Sequence, residues 1–86
     1  MDNVDTYRTV SNLALAGLVA HVYGERFDGA DSLWDFFFED VYVGSFHAHA
    51  RIFLDGQTTR DCPHVAAAVG YIREAVSPRG WAYVEA

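Results

Sequence analysis

The chain contains no lysine, one cysteine, two prolines and one methionine in 86 residues. A lone cysteine, Cys62, rules out an intramolecular disulfide framework and fits a chain that folds without oxidation. Few prolines and no low-complexity tract argue against intrinsic disorder, and 51% hydrophobic residues supply a core. No apolar run reaches the roughly 20 residues that span a bilayer. The longest, Leu13 to Tyr23, is interrupted by Gly17 and His21. A secretory leader opens with basic residues, whereas this chain opens with Asp2 and Asp5. Positive charge is also scarce. Six arginines face twelve acids, for a net charge of −6. That balance disfavours direct contact with nucleic acid or an anionic membrane, both of which need a basic face. A cytoplasmic protein, in a single domain over residues 1–86, is the expectation.

What the chain has instead is concentrated in residues 25–46, ERFDGADSLWDFFFEDVYVGSF. Six of the twelve acids and seven of the thirteen aromatics fall there, opposed only by Arg26. Taken in order, residues 5–24 read as a helix, with Asp5 as N-cap, Gly24 as stop, and Leu15, Leu18, Val19, Val22 and Tyr23 at helical spacing. Residues 25–30 connect. Residues 31–39 fit a short helix, because Asp31, Asp35 and Glu39 are spaced i, i+4. A strand through Trp34–Phe38 with a hairpin at Gly44-Ser45 is the other option.

Residues 41–54 read as a strand. Phe46, Ala48, Ala50, Ile52 and Leu54 would face the core. Ser45, His47, His49, Arg51 and Phe53 would face water. A last helix starts near Asp61, with Pro63 in its first turn and a stripe of Val65, Val69, Ile72 and Val76, and ends at Ser77–Gly80. Residues 81–85 read as a short strand, with Trp81 and Tyr83 on one side. The fold expected is α+β: two or three helices on one face of a short, mainly antiparallel sheet of two or three strands.

Three constellations offer chemistry. His47 and His49, two apart on a strand, share a face, and Cys62 and His64 follow at the start of the last helix; together they have the donor types of a zinc site. The spacing is not that of a structural-zinc knuckle, and the commoner reading is solvated histidines and an inert thiol, with no cofactor. The carboxylates offer an acid–base pair in principle, yet no phosphate loop, nucleophile elbow, metalloprotease motif or CxxC accompanies them, so an enzyme is not the expectation. The third is a recognition surface. Asp31, Trp34, Asp35, Phe38, Glu39 and Asp40 would set carboxylates and aromatic anchors on one helix face, suited to a partner protein with a basic surface. Against that stands the plain alternative of core aromatics and solubilising acids.

In size, acidity and want of a catalytic signature the chain resembles the small inhibitors with which phages and mobile elements block host nucleases and CRISPR complexes. Those proteins share size and charge rather than sequence. The likeness implies a non-enzymatic binder acting in the host cytoplasm, its carboxylates standing where phosphates would bind. Two other readings compete with it: a homodimeric structural or regulatory module, and the small zinc protein.

Overall fold

The computed structural model describes residues 7–24, 31–56 and 58–85, as backbone alone from residue 77. The described residues form six strands followed by one helix. The strands are β1 (Arg8–Val10), β2 (Leu18–Tyr23), β3 (Leu33–Phe38), β4 (Val41–His47), β5 (Ile52–Leu54) and β6 (Thr59–Asp61), and the helix is α1 (Val65–Glu85). Every strand pairs antiparallel with its chain neighbour, giving a single six-stranded meander in the order β1-β2-β3-β4-β5-β6.

This overturns the expected fold. The sheet has six strands rather than two or three, and one helix packs on it rather than two or three. The stretch read as a helix over 5–24 is, within the described residues, β1, a loop and β2. Gly17, at φ +90°, breaks the chain before β2. From there Leu18, Ala20 and Val22 are buried while Val19, His21 and Tyr23 are half-buried. Both sets are largely apolar, which hides the period of two. The expected N-cap, Asp5, and the connection 25–30 lie outside the described residues.

The 31–39 helix is likewise β3, and its hairpin turns at Glu39-Asp40 rather than Gly44-Ser45. Both turn residues have positive φ, 51° and 71°, as a two-residue hairpin turn with the twist of its strands demands. Phe36 faces the core, Phe37 the other side, and Phe38 packs against the core again. The expected strand 41–54 is broken by a turn at 48–51, where Arg51 has φ 56° and its N–H bonds to the His47 carbonyl at 2.8 Å. The turn resets the alternation, so Phe53, expected in water, is buried beside Phe46.

The last helix begins at Val65, after His64, whose Nδ1 accepts from the Ala67 N–H at 3.3 Å in the manner of an N-cap. The expected stripe holds: Val69 and Ile72 are buried, and Val65 and Val76 pack against the core. The helix runs on to Glu85, and the strand expected at 81–85 is not formed. Proline removes one backbone donor from a helix without forbidding it, so Pro78 is a weaker stop than expected. The sides on which Trp81 and Tyr83 were expected lie outside the described side chains.

The core is one layer between sheet and helix. Leu18, Ala20, Val22, Trp34, Phe36, Phe46 and Phe53 meet Cys62, Ala68, Val69 and Ile72. A bulge between Phe36 and Phe37 brings Gly44 opposite Phe36. A Cβ on Gly44 would lie 2.5 Å from Phe53 Cζ, so only glycine lets the Phe53 ring cross β4 there. The Arg73 guanidinium donates to the Ala14 carbonyl and ties α1 to the β1–β2 loop.

Candidate functional site

Because α1 covers one face of the meander, the side chains that alternate the other way form a second surface. The pairing assigns them: His21 opposite Asp35, Val19 opposite Phe37, Asp35 opposite Ser45, and Phe37 opposite Tyr42. Four rings make a continuous row across β1 to β4. Tyr7 stacks on His21 with centroids 4.2 Å apart, His21 meets Phe37 at 4.8 Å, and Phe37 meets Tyr42 edge-on at 5.7 Å. Tyr23 joins the first end, 5.5 Å from Tyr7. The row ends on exposed rings, since Tyr7 and Tyr42 are 44% and 51% accessible.

A polar chain lies against the row. Ser45 Oγ donates to Asp35 Oδ1 at 2.6 Å, and the Tyr42 hydroxyl meets Ser45 Oγ at 2.5 Å. With the Ser45 proton directed at the carboxylate, the Tyr42 O–H donates to Ser45. Ser45 is buried and both of its hydroxyl contacts are internal. It therefore fixes the Asp35 and Tyr42 side chains and is not presented as a nucleophile.

The six residues expected to form one recognition row are distributed differently. Trp34 is only 7% accessible; it packs in the core, and its Nε1–H donates to Ser32 Oγ at 3.2 Å. Phe38 packs on the core side as well. Asp35 alone lies in mid-sheet on the open face. Asp31 is exposed just before β3, and Glu39 and Asp40 are exposed in the turn after it. A strand of six residues advances about 20 Å, so the acids bracket the aromatic row rather than run beside it. The residues missed are Tyr7, His21, Phe37, Tyr42 and Ser45. Strand parity joins them, and it becomes readable only once β2 and β3 are known to be strands.

The zinc donors are not gathered. His47 ends β4 half-buried, and His49 is exposed in the turn, off the strand they were expected to share. Cys62 is buried in the core with its Sγ–H toward the His64 carbonyl at 3.3 Å, while His64 itself is exposed. Among the described residues no group of three metal-ligating side chains comes together. Burial holds the Cys62 thiol above its ordinary pKa, an effect only partly offset by backbone hydrogen bonds at His64 and Ala68.

Two concavities can be placed among the described residues. One of about 540 Å³ is a wide hollow beside the 11–18 loop, whose described lining residues carry no ionisable side chain. One of about 200 Å³ lies between β5–β6 and α1, with Arg60 and Tyr71 at its rim. Arg60 sits 4.8 Å above the Tyr71 ring, and the Tyr71 hydroxyl donates to the Asp61 carbonyl at 2.7 Å. In the second, Asp55 accepts from Thr58 and the Tyr71 hydroxyl is hydrogen-bonded to Asp61, so these two side chains are engaged with other partners.

Fold and site together define a meander sheet with a helix on one face and an aromatic, carboxylate-bearing surface on the other. Comparison with protein-family models, characterised proteins and solved structures finds no match to this chain. Among the described residues, no helix is long and apolar enough to cross a membrane.

Proposed function

We propose that the protein is a non-enzymatic binding domain that docks its open sheet face on a basic surface of another protein. The observation that carries this reading is the row Tyr7–His21–Phe37–Tyr42, ring meeting ring from the start of β1 to β4 on the face opposite the helix and ending in exposed rings. Rigid aromatic rings at the centre of a patch, with charge around them, have the composition of an interaction hot spot. The charge has one sign. Asp35 and Asp61 alternate onto this face, and Asp31, Glu39 and Asp40 lie at its margins. The described arginines are elsewhere: Arg8 and Arg60 alternate onto the helix side, Arg51 is in a turn, and Arg73 is on α1. The most concrete form is an inhibitor, encoded by a phage or mobile element and acting in the host cytoplasm, that covers a nucleic-acid-binding surface. Size, a net charge of −6 and carboxylates placed to stand in for phosphates support that form.

The test is capture of partner protein from a bacterial lysate. Capture is expected to survive Glu74→Lys, an exposed change on α1, and to be lost in Asp35→Lys combined with Tyr42→Ser. Equal capture by both variants would overturn the reading. The exposed rings also suit self-association across a two-fold axis. Light scattering coupled to gel filtration decides that alternative, since a strict monomer at micromolar concentration removes it.

A further inference from the structure

We infer that the open face reads an arginine side chain of its partner, received by Asp35 between aromatic rings. The inference rests on the docking reading above and narrows it to one chemistry. Asp35 is placed in register between His21 on β2 and Ser45 on β4, with Phe37 two residues along the same strand and face. Directly paired side chains on one face have Cβ atoms about 5 Å apart, so the carboxylate stands among the His21, Phe37 and Tyr42 rings. The hydrogen bond from Ser45 orients the carboxylate through Oδ1. Oδ2 has no hydrogen-bond partner among the described residues. A fixed carboxylate with one oxygen unused calls for a donor from outside.

Two donors are available to a protein partner, and the rings choose between them. A guanidinium is planar, weakly hydrated and forked. It can lie on a ring face while donating to a carboxylate in the same plane. An ammonium is a compact, strongly hydrated point charge and loses more on being laid against aromatic rings. A contact of this kind occurs within the molecule itself, where the Arg60 guanidinium lies over the Tyr71 ring. Charge complementarity favours a cation of either kind here, because Arg8, Arg60 and Arg73 lie off this face.

The experiment titrates the full chain with nona-arginine and nona-lysine peptides by calorimetry near physiological ionic strength, and maps binding by amide chemical shifts. Nona-arginine is expected to bind at least about tenfold tighter than nona-lysine, equivalent to about 1.4 kcal/mol. Shifts are expected to centre on residues 19–23, 33–37 and 42–47. Asp35→Asn keeps an acceptor for Ser45 and should bring nona-arginine down to the lysine level. Equal affinities, with shifts still on the open face, would overturn the arginine inference and leave the docking reading standing. Absence of binding by either peptide, or shifts confined to α1, would remove both. The ratio of the two peptides on the unaltered chain stands even if the variant fails to fold.

Discussion

At Cys62 the smallest part of the molecule sets a measurable property of the whole. Its thiol is buried at the join between β6 and α1, and burial raises its pKa above the ordinary 9.0. Cysteine is neutral when protonated, so a raised pKa means the folded state resists ionisation. Below about pH 9 the thiol is protonated in both states and contributes no pH dependence. As pH rises through 9 the unfolded chain ionises first, and stability falls until the folded thiol also titrates. Urea unfolding between pH 8 and 10.5 should therefore fall less steeply in Cys62→Ala than in the natural chain, by up to one proton per molecule. Identical slopes would mean the thiol is not desolvated. Gly44 acts in two ways: with no Cβ it makes room for the Phe53 ring, and its φ of 149° is backbone that other residues rarely adopt.

At the scale of the element, the hairpin β3–β4 joins fold to function. Glu39 and Asp40 hold left-handed backbone that costs an ordinary residue about 1–2 kcal/mol relative to glycine. Backbone strain of this kind clusters at binding and switch positions, and under the docking reading these two carboxylates meet the partner. Glu39→Asn with Asp40→Gly supplies the preferred pair for such a turn. It should raise the unfolding free energy by about 1 kcal/mol and Tm by roughly 4–8 °C. It should also weaken capture of a basic partner. A lower Tm would show that the carboxylates stabilise the turn more than the backbone strains it.

The same hairpin explains which part of the molecule was legible. The helix stripe Val65, Val69, Ile72, Val76 is periodic over three turns and stands out as the large side chains among small alanines and a glycine, so it reads correctly. The acids Asp31, Asp35 and Glu39 do not discriminate, because a spacing of four is even and keeps a strand on one face just as it keeps a helix on one side. Residues 13–23 mislead for a related reason. Ala20 and Val22 meet the core while Val19 and Tyr23 meet the aromatic side, leaving no polar phase to reveal the alternation. The concentration of aromatics in 25–46 is legible, but which rings lie exposed is not: Trp34 is buried and Tyr42 is the exposed ring among the described ones, an assignment that needs the register.

For the whole molecule, the question is how the aromatics divide between stability and recognition. Trp34, Phe36, Phe46 and Phe53 fill the layer under α1, while Tyr7, Phe37 and Tyr42 stand on the far side. A chain of this size has only about 5–15 kcal/mol of net stability. Removing one core ring costs about 3–5 kcal/mol, a large share of that margin. Phe36, fully buried, is the clearest case, and Phe36→Ala should leave the protein marginal or unfolded at 37 °C. Tyr42, half exposed and at the end of the row, contributes its one ring contact, with Phe37, and its hydrogen bond to Ser45. Tyr42→Ser is therefore expected to lower the unfolding free energy by about 1–2 kcal/mol, well short of the loss at Phe36, while reducing capture of a basic partner tenfold or more. Chemical denaturation and capture on the same two variants check both halves. If Tyr42→Ser destabilises as severely as Phe36→Ala, the far-side rings are a second core, and the sheet is closed on both faces in the working protein. If stability is kept and capture is lost, the molecule is a sheet stabilised from one side so that the other can bind.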